Sequence, residues 1–162
     1  MTIILRNGDA SNQLNITGPE HYELNFTADN CTVKFSGLAK NNLPKLYAVV
    51  VDGKIIYVGV TKRNMRSRFY TGWKAKGKGG YYGYAWRHTH KTADLYVWCH
   101  ENAVDRSSKE LETVEAEVAY LVRKAGQWPA SQTEIHFHPS KEEHRKWAVD
   151  IVSHVNSVAA KA

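Results

Sequence analysis

The spacing of apolar residues changes character along the chain. Over residues 1–43 it alternates: "TIILRN", "QLNIT", "YELNFTA" and "TVKFSG" each predict a short strand bounded by turn residues, together an N-terminal β-rich extension. "NNLPK" at 41–45 marks its end. "KLYAVVVDGKIIYVGV" follows, two strands around Val51-Asp52-Gly53 that are apolar at almost every position. That pattern predicts a hairpin buried within a larger sheet. The loop decides which side chains share a face. A two-residue Asp-Gly turn sets Ala48 opposite Tyr57 and sends Tyr47 to the other face; a three-residue loop pairs Tyr47 with Tyr57. The sequence permits both.

From "TKRNMRSRFYTGW" onward the period is helical. Met65 and Phe69 face inward, and Lys62, Arg66 and Tyr70 form the adjacent stripe at i, i+4, i+8. The glycines of "KAKGKGGYYGY" predict an irregular basic loop, "YAWRHTH" a short helix, and "ADLYVWCH" a third strand with Leu95, Val97 and Cys99 alternating against Tyr96 and Trp98. "SSKELETVEAEVAYLVRKAGQWP" predicts a long helix, capped by Ser107 or Ser108 and striped by Leu111, Val114, Val118, Leu121, Val122 and Ala125. Gly126 and Pro129 stop it. "TEIHFH" predicts a brief strand and "SKEEHRKWAVDIVSHVNSVAA" a second long helix. The expected fold is α/β of the α+β type, a small central antiparallel sheet flanked by helices. Residues 44–132 form its core, and 133–162 a strand-and-helix extension packed on it.

Length adds that 162 residues suit one domain with a genuine core. No apolar run approaches the roughly 18 residues of a membrane span, so no membrane partner is expected. The first residues do not read as a signal peptide, and Cys31 and Cys99 match no metal or redox spacing, which predicts a cytoplasmic protein. Net charge is +6, which favours an acidic partner. Its distribution says more. From Gly53 to Ala93 there is no Asp or Glu, while Lys54, Lys62, Arg63, Arg66, Arg68, Lys74, Lys76, Lys78, Arg87 and Lys91 all fall there, interleaved with tyrosine and tryptophan. Cations neutralise phosphates and flat rings stack on bases, so nucleic acid is the expected partner. His88-x-His90 and His136, His138 and His144 offer no complete zinc set.

Tyr47, then Tyr57-Val58-Gly59, then Arg66 and Tyr70 four apart on a helix, then a glutamate on a later helix: this order resembles the GIY-YIG nuclease superfamily over residues 44–132. Lys45 stands where the family's first motif opens with glycine, Val60 where a lysine often follows the second, and Gln132 where an asparagine follows a helix-ending proline. The resemblance implies a DNA endonuclease that hydrolyses phosphodiester bonds with one Mg²⁺ (or Mn²⁺). Its implied catalytic residues are Tyr47, Tyr57, Arg66, Tyr70 and Glu117, with Glu117 holding the metal. Helical geometry alone does not choose between Glu115 and Glu117; the family's large apolar residues at +3 and +4 favour Glu117, followed by Tyr120 and Leu121.

The chemistry suits these residue types. A forked, permanently charged arginine clamps developing negative charge. Mg²⁺ keeps several waters and takes phosphate oxygens, so one carboxylate suffices. A tyrosine acting as base needs positive charge nearby, because its ordinary pKa is about 10. Lys62, Arg63, Arg68, Lys74, Lys76, Lys78, Arg87, His88 and Gln132 are the expected DNA contacts. One site per chain leaves a homodimer open. The rival expectation is a nucleic-acid-binding module on the same fold without catalysis.

Overall fold

The computed structural model describes residues 14–103, 107–127 and 138–161. Five antiparallel strands form one sheet: β1 (Ile16–Phe26), β2 (Cys31–Thr32), β3 (Lys45–Val51), β4 (Lys54–Thr61) and β5 (Thr92–His100), in the order β2-β1-β5-β3-β4. Three α-helices accompany them: α1 (Met65–Lys74), α2 (Lys109–Lys124) and α3 (Glu142–Lys161). The α+β expectation is met. One helix fewer than expected is α-helical, since "YAWRHTH" makes only a 3-10 turn at Ala85–His88. No helix among the described residues is long and apolar enough to cross a membrane.

The N-terminal segment supplies strands of the central sheet. "QLNIT" and "YELNFTA" merge into β1, which lies between β2 and β5 inside the sheet, and "TVKFSG" contributes only Thr32 to a strand. "TIILRN", Gln132 and "TEIHFH" up to Phe137 lie outside the described residues. A bulge explains how β1 serves two cores. Thr17 pairs with Cys99 and Glu20 with Val97, so β1 carries one extra residue over that stretch and its alternation inverts. Leu14 and Ile16 therefore face α2 and α3 with Leu46, Ala48 and Trp98, whereas Leu24 and Phe26 face the α1 side with Val49, Leu95 and Trp86. The sheet is buried on both faces, as the apolar hairpin implied.

The same device settles the hairpin. Asp52 and Gly53 both have left-handed φ, 52° and 76°, so the connection is the two-residue turn, with Val51 opposite Lys54. That turn alone would put the two tyrosines on opposite faces. Beyond it, Val50 pairs with Ile55 but Val49 with Tyr57, leaving Ile56 as a bulge. The extra residue returns Tyr57 to the face of Tyr47, and the ring centroids lie 5.9 Å apart. Neither loop weighed from sequence predicts this combination.

Gly59 lies directly across from Tyr47, and a Cβ there would sit 2.6 Å from the ring carbon Cζ and 2.7 Å from the hydroxyl. The Tyr47 side chain is fully buried and has nowhere to retreat. Gly59→Ala is expected to cost about 1–3 kcal/mol of stability through overpacking. Urea unfolding of the variant measures it.

Candidate active site

α1 follows β4 after a short turn. Asn64 caps it by accepting the Ser67 N–H at 2.9 Å, and Met65, Phe69 and Trp73 recur at i, i+4, i+8 to bury one stripe against the sheet. The stripe has two flanks. On one, Arg68 meets the tyrosines: its guanidinium carbon lies 4.7 Å from the centroid of the Tyr84 ring, and its Nη1 donates to the Tyr81 hydroxyl at 2.8 Å. On the other, Arg66 and Tyr70 are exposed and border a separate groove. The expected i, i+4 pair therefore lies away from the tyrosine cluster, and Arg68, expected only as a DNA contact, is the arginine beside Tyr47, Tyr57 and Tyr84.

Tyr84 is the residue the sequence did not single out. It hydrogen-bonds Tyr47 through the two hydroxyls at 2.8 Å, and its ring meets that of Tyr57 edge-on with centroids 5.4 Å apart. Its ring occupies the space left by Gly72, where a Cβ would lie 2.3 Å from it. A glycine inside a helix costs about 1 kcal/mol relative to alanine, and close approach of a neighbouring group is the usual reason for one. Gly72 was the available signal.

Arg87 fixes the loop that delivers Tyr84. Only 7% exposed, it donates to the carbonyls of Ala28, Gly72, Ala75, Tyr82 and Tyr84 at 2.8–3.3 Å. A guanidinium so engaged is unavailable to a phosphate, which corrects its expected role as a DNA contact. Lys62, Arg63, Lys74, Lys76, Lys78 and His88 are exposed. Of these, Arg63 donates to Thr71 at 2.8 Å and Lys74 to the Asp29 carbonyl at 3.1 Å. Lys45, at the position of the family's opening glycine, is buried, with Nζ donating to the carbonyls of Asn41, Leu43 and Arg63 at 2.6, 2.7 and 3.1 Å.

On α2, Glu115 is 5% exposed and near enough to Tyr57 to raise the cost of ionising its phenol, whereas Glu117 is only partly buried. Glu115 is therefore the more buried of the two candidate acids, although α2 packs on the sheet face opposite the tyrosines. Burial is the main cause that pushes the phenols of Tyr47, Tyr57 and Tyr84 well above the ordinary tyrosine value, and the Arg68 cation opposes this without overcoming it. All three are neutral proton donors at neutral pH. The positive charge that would make a tyrosine basic is present, but desolvation wins.

Folding stability should reflect this. A phenol with its folded pKa above its unfolded value of about 10 contributes fully below that pH, and the contribution is lost as pH rises towards the folded value. Absorbance of phenolate at alkaline pH should therefore show Tyr47, Tyr57 and Tyr84 silent until a cooperative unfolding step. Smooth titration of all nine tyrosines without unfolding would contradict their burial.

Glu110, Glu143 and His144 each offer a ligand atom within 4.8 Å of the others, a spacing that could hold a cation. His144 is committed elsewhere. Its Nδ1 accepts the Lys141 N–H at 2.9 Å, closing the first turn of α3 as the third residue of a capping box does. The neutral ring then carries its proton on Nε2, which lies 2.7 Å from Glu110. A cation at Nε2 would need that proton on the nitrogen already accepting. The cluster reads as helix capping.

Comparison with protein-family models, curated proteins and solved structures finds no match for this chain.

Proposed function

We propose that the chain is a metal-dependent endonuclease hydrolysing phosphodiester bonds of DNA, organised as the GIY-YIG resemblance suggests but with Arg68 and Glu115 in the roles expected of Arg66 and Glu117. One observation carries the reading: a hairpin, a helix and a loop, distant in sequence, bring Tyr47, Tyr57, Tyr84 and Arg68 to one place. A core without chemistry has little reason to set a guanidinium among three largely buried phenols, since each buried polar group raises the cost of folding.

The residues divide by access. Tyr47 and Tyr84 are fully enclosed, hydrogen-bonded to each other, and act as supports packed against the Tyr57 ring. Tyr57 and Arg68 are only partly buried, and Tyr81, Tyr82, Lys76 and Lys78 stand exposed along the adjoining loop, where they attract a phosphate backbone. Arg68 is held by rings and a phenol hydroxyl, so its fork can turn to the non-bridging oxygens of a phosphodiester and stabilise the charge that develops there. Tyr57, kept neutral, orients the attacking water and does not remove its proton. Glu115 is the acid whose charge reaches Tyr57, and Mg²⁺ or Mn²⁺ held by it would add Lewis acidity towards the phosphate.

Incubation of supercoiled plasmid with the chain, with Mg²⁺ and then with chelator, tests this. Nicking that needs the metal and falls in Tyr57→Phe is expected. Binding without cutting in any divalent metal would instead identify a nucleic-acid-binding module.

A further inference from the structure

The flank of α1 opposite Arg68 borders a groove of about 680 Å³, whose other wall is the segment 30–40 from the N-terminal part of the chain. We infer that this groove holds a single-stranded stretch of the nucleic acid being cut; the inference rests on the nuclease reading above. Lys34, Lys40, Arg66 and Lys74 line it, and none of its lining residues is acidic. A run of cations without a carboxylate matches a phosphate backbone and little else on the surface of ordinary proteins, which mix signs. Between those cations the Tyr70 ring stands 67% exposed. Bases in a duplex are already stacked on each other, so a free ring finds its partner in unpaired nucleotides.

The wall is built rather than incidental. The Glu20 carboxylate accepts the N–H groups of Leu38 and Ala39 at 2.8 and 3.1 Å, and the Tyr22 hydroxyl lies 2.8 Å from the Ser36 carbonyl. Phe35 packs edge-on against Phe69 of α1, with ring centroids 5.3 Å apart. The groove is therefore preformed, and little ordering is needed when a strand enters it. Position completes the case. Residues 66 and 70 share one flank of α1 and residue 68 the other, so a helix diameter of about 10 Å separates groove from reaction centre. A strand passing from Tyr57 and Arg68 around the helix covers that distance in a few nucleotides. DNA carrying an unpaired stretch next to the cut is the substrate class this arrangement favours.

Fluorescence anisotropy of a labelled oligothymidylate of about 12 nucleotides, titrated with the full chain in chelator, tests the inference. Tyr70→Ala is expected to weaken binding about tenfold. Lys34→Glu combined with Arg66→Glu should weaken it further and flatten its dependence on salt. A blunt duplex of the same length should bind the parent less tightly. Equal binding by parent and variants, with melting curves that show all of them folded, overturns the inference. So does a parent that sediments as a dimer which Tyr70→Ala dissociates, because a second copy then covers the groove. If the parent still nicks plasmid in those cases, only the groove assignment falls. A parent that neither nicks plasmid nor binds the oligothymidylate removes the nuclease reading as well.

Discussion

Arg68→Ala is expected to lower the rate of metal-dependent plasmid nicking by about 10²–10³-fold, the usual loss when one charge-stabilising donor is removed from a reaction centre. The argument is geometric. Arg68 is the cation in contact with Tyr84 and electrostatically coupled to Tyr47 and Tyr57, and no other side chain of α1 can take its position. Arg68→Lys separates charge from shape: it keeps the cation but loses the planar fork, and should recover only part of the rate. Arg66→Ala should act differently, raising the DNA concentration needed for half-maximal rate, because its position is in the groove. Loss of the cation–π contact will also loosen the ring cluster, by about 0.5–2 kcal/mol, so thermal melting of both Arg68 variants must show a folded chain. A fully active, folded Arg68→Ala with an inactive Arg66→Ala would return the site to the stripe read from sequence.

That contrast shows where sequence reasoning reaches and where it stops. The period of α1 identifies Met65, Phe69 and Trp73 as its buried stripe. At about 100° per residue, Arg68 and Arg66 then fall on opposite flanks of it. Which flank meets the hairpin depends on how α1 is set down on the sheet, and periodicity does not contain that information. The family spacing chose the flank with a residue at i+4. The flank that faces the tyrosines is the other, where i+4 is Gly72 and the space of the missing side chain is filled by Tyr84 from a loop. The hairpin shows a similar limit. Asp52-Gly53 announces its two-residue turn, but the bulge at Ile56, which alone keeps both tyrosines together, leaves no mark in an all-apolar strand.

Other features were read correctly because their signal is local. Leu95 and Val97 against Tyr96 and Trp98 alternate in β5 as expected, one pair in each core. Charge proved less dependable. Arg87 read as a phosphate-binding cation, yet it is buried and, like Lys45, holds loops through carbonyl oxygens. A long basic side chain can satisfy several backbone acceptors at once, and the sequence gives no sign of which cations do so.

The acid of α2 poses the flank problem once more, and its variants are expected to separate cleanly. Glu115 and Glu117 lie about 200° apart around the helix. The buried stripe of Leu111, Val114, Val118 and Val122 carries Glu115 with it against the sheet, and Glu117 remains partly exposed. Glu115→Gln keeps the shape of the side chain and removes only the charge, so the fold should survive. Neutralising a buried carboxylate also relieves its desolvation, so melting should stay close to that of the parent or rise. Cleavage should not survive. Losing the carboxylate proposed to hold the cation removes several kcal/mol of transition-state stabilisation, on the order of a thousandfold in rate. Raising Mg²⁺ or Mn²⁺ should recover little of it, because the amide oxygen is a far weaker ligand for either ion. Glu117→Gln changes a half-exposed side chain and should cut at close to the parent rate. The reverse pattern, with Glu117→Gln inactive and Glu115→Gln unaffected, would move the metal site along α2 while leaving the hydrolysis itself intact.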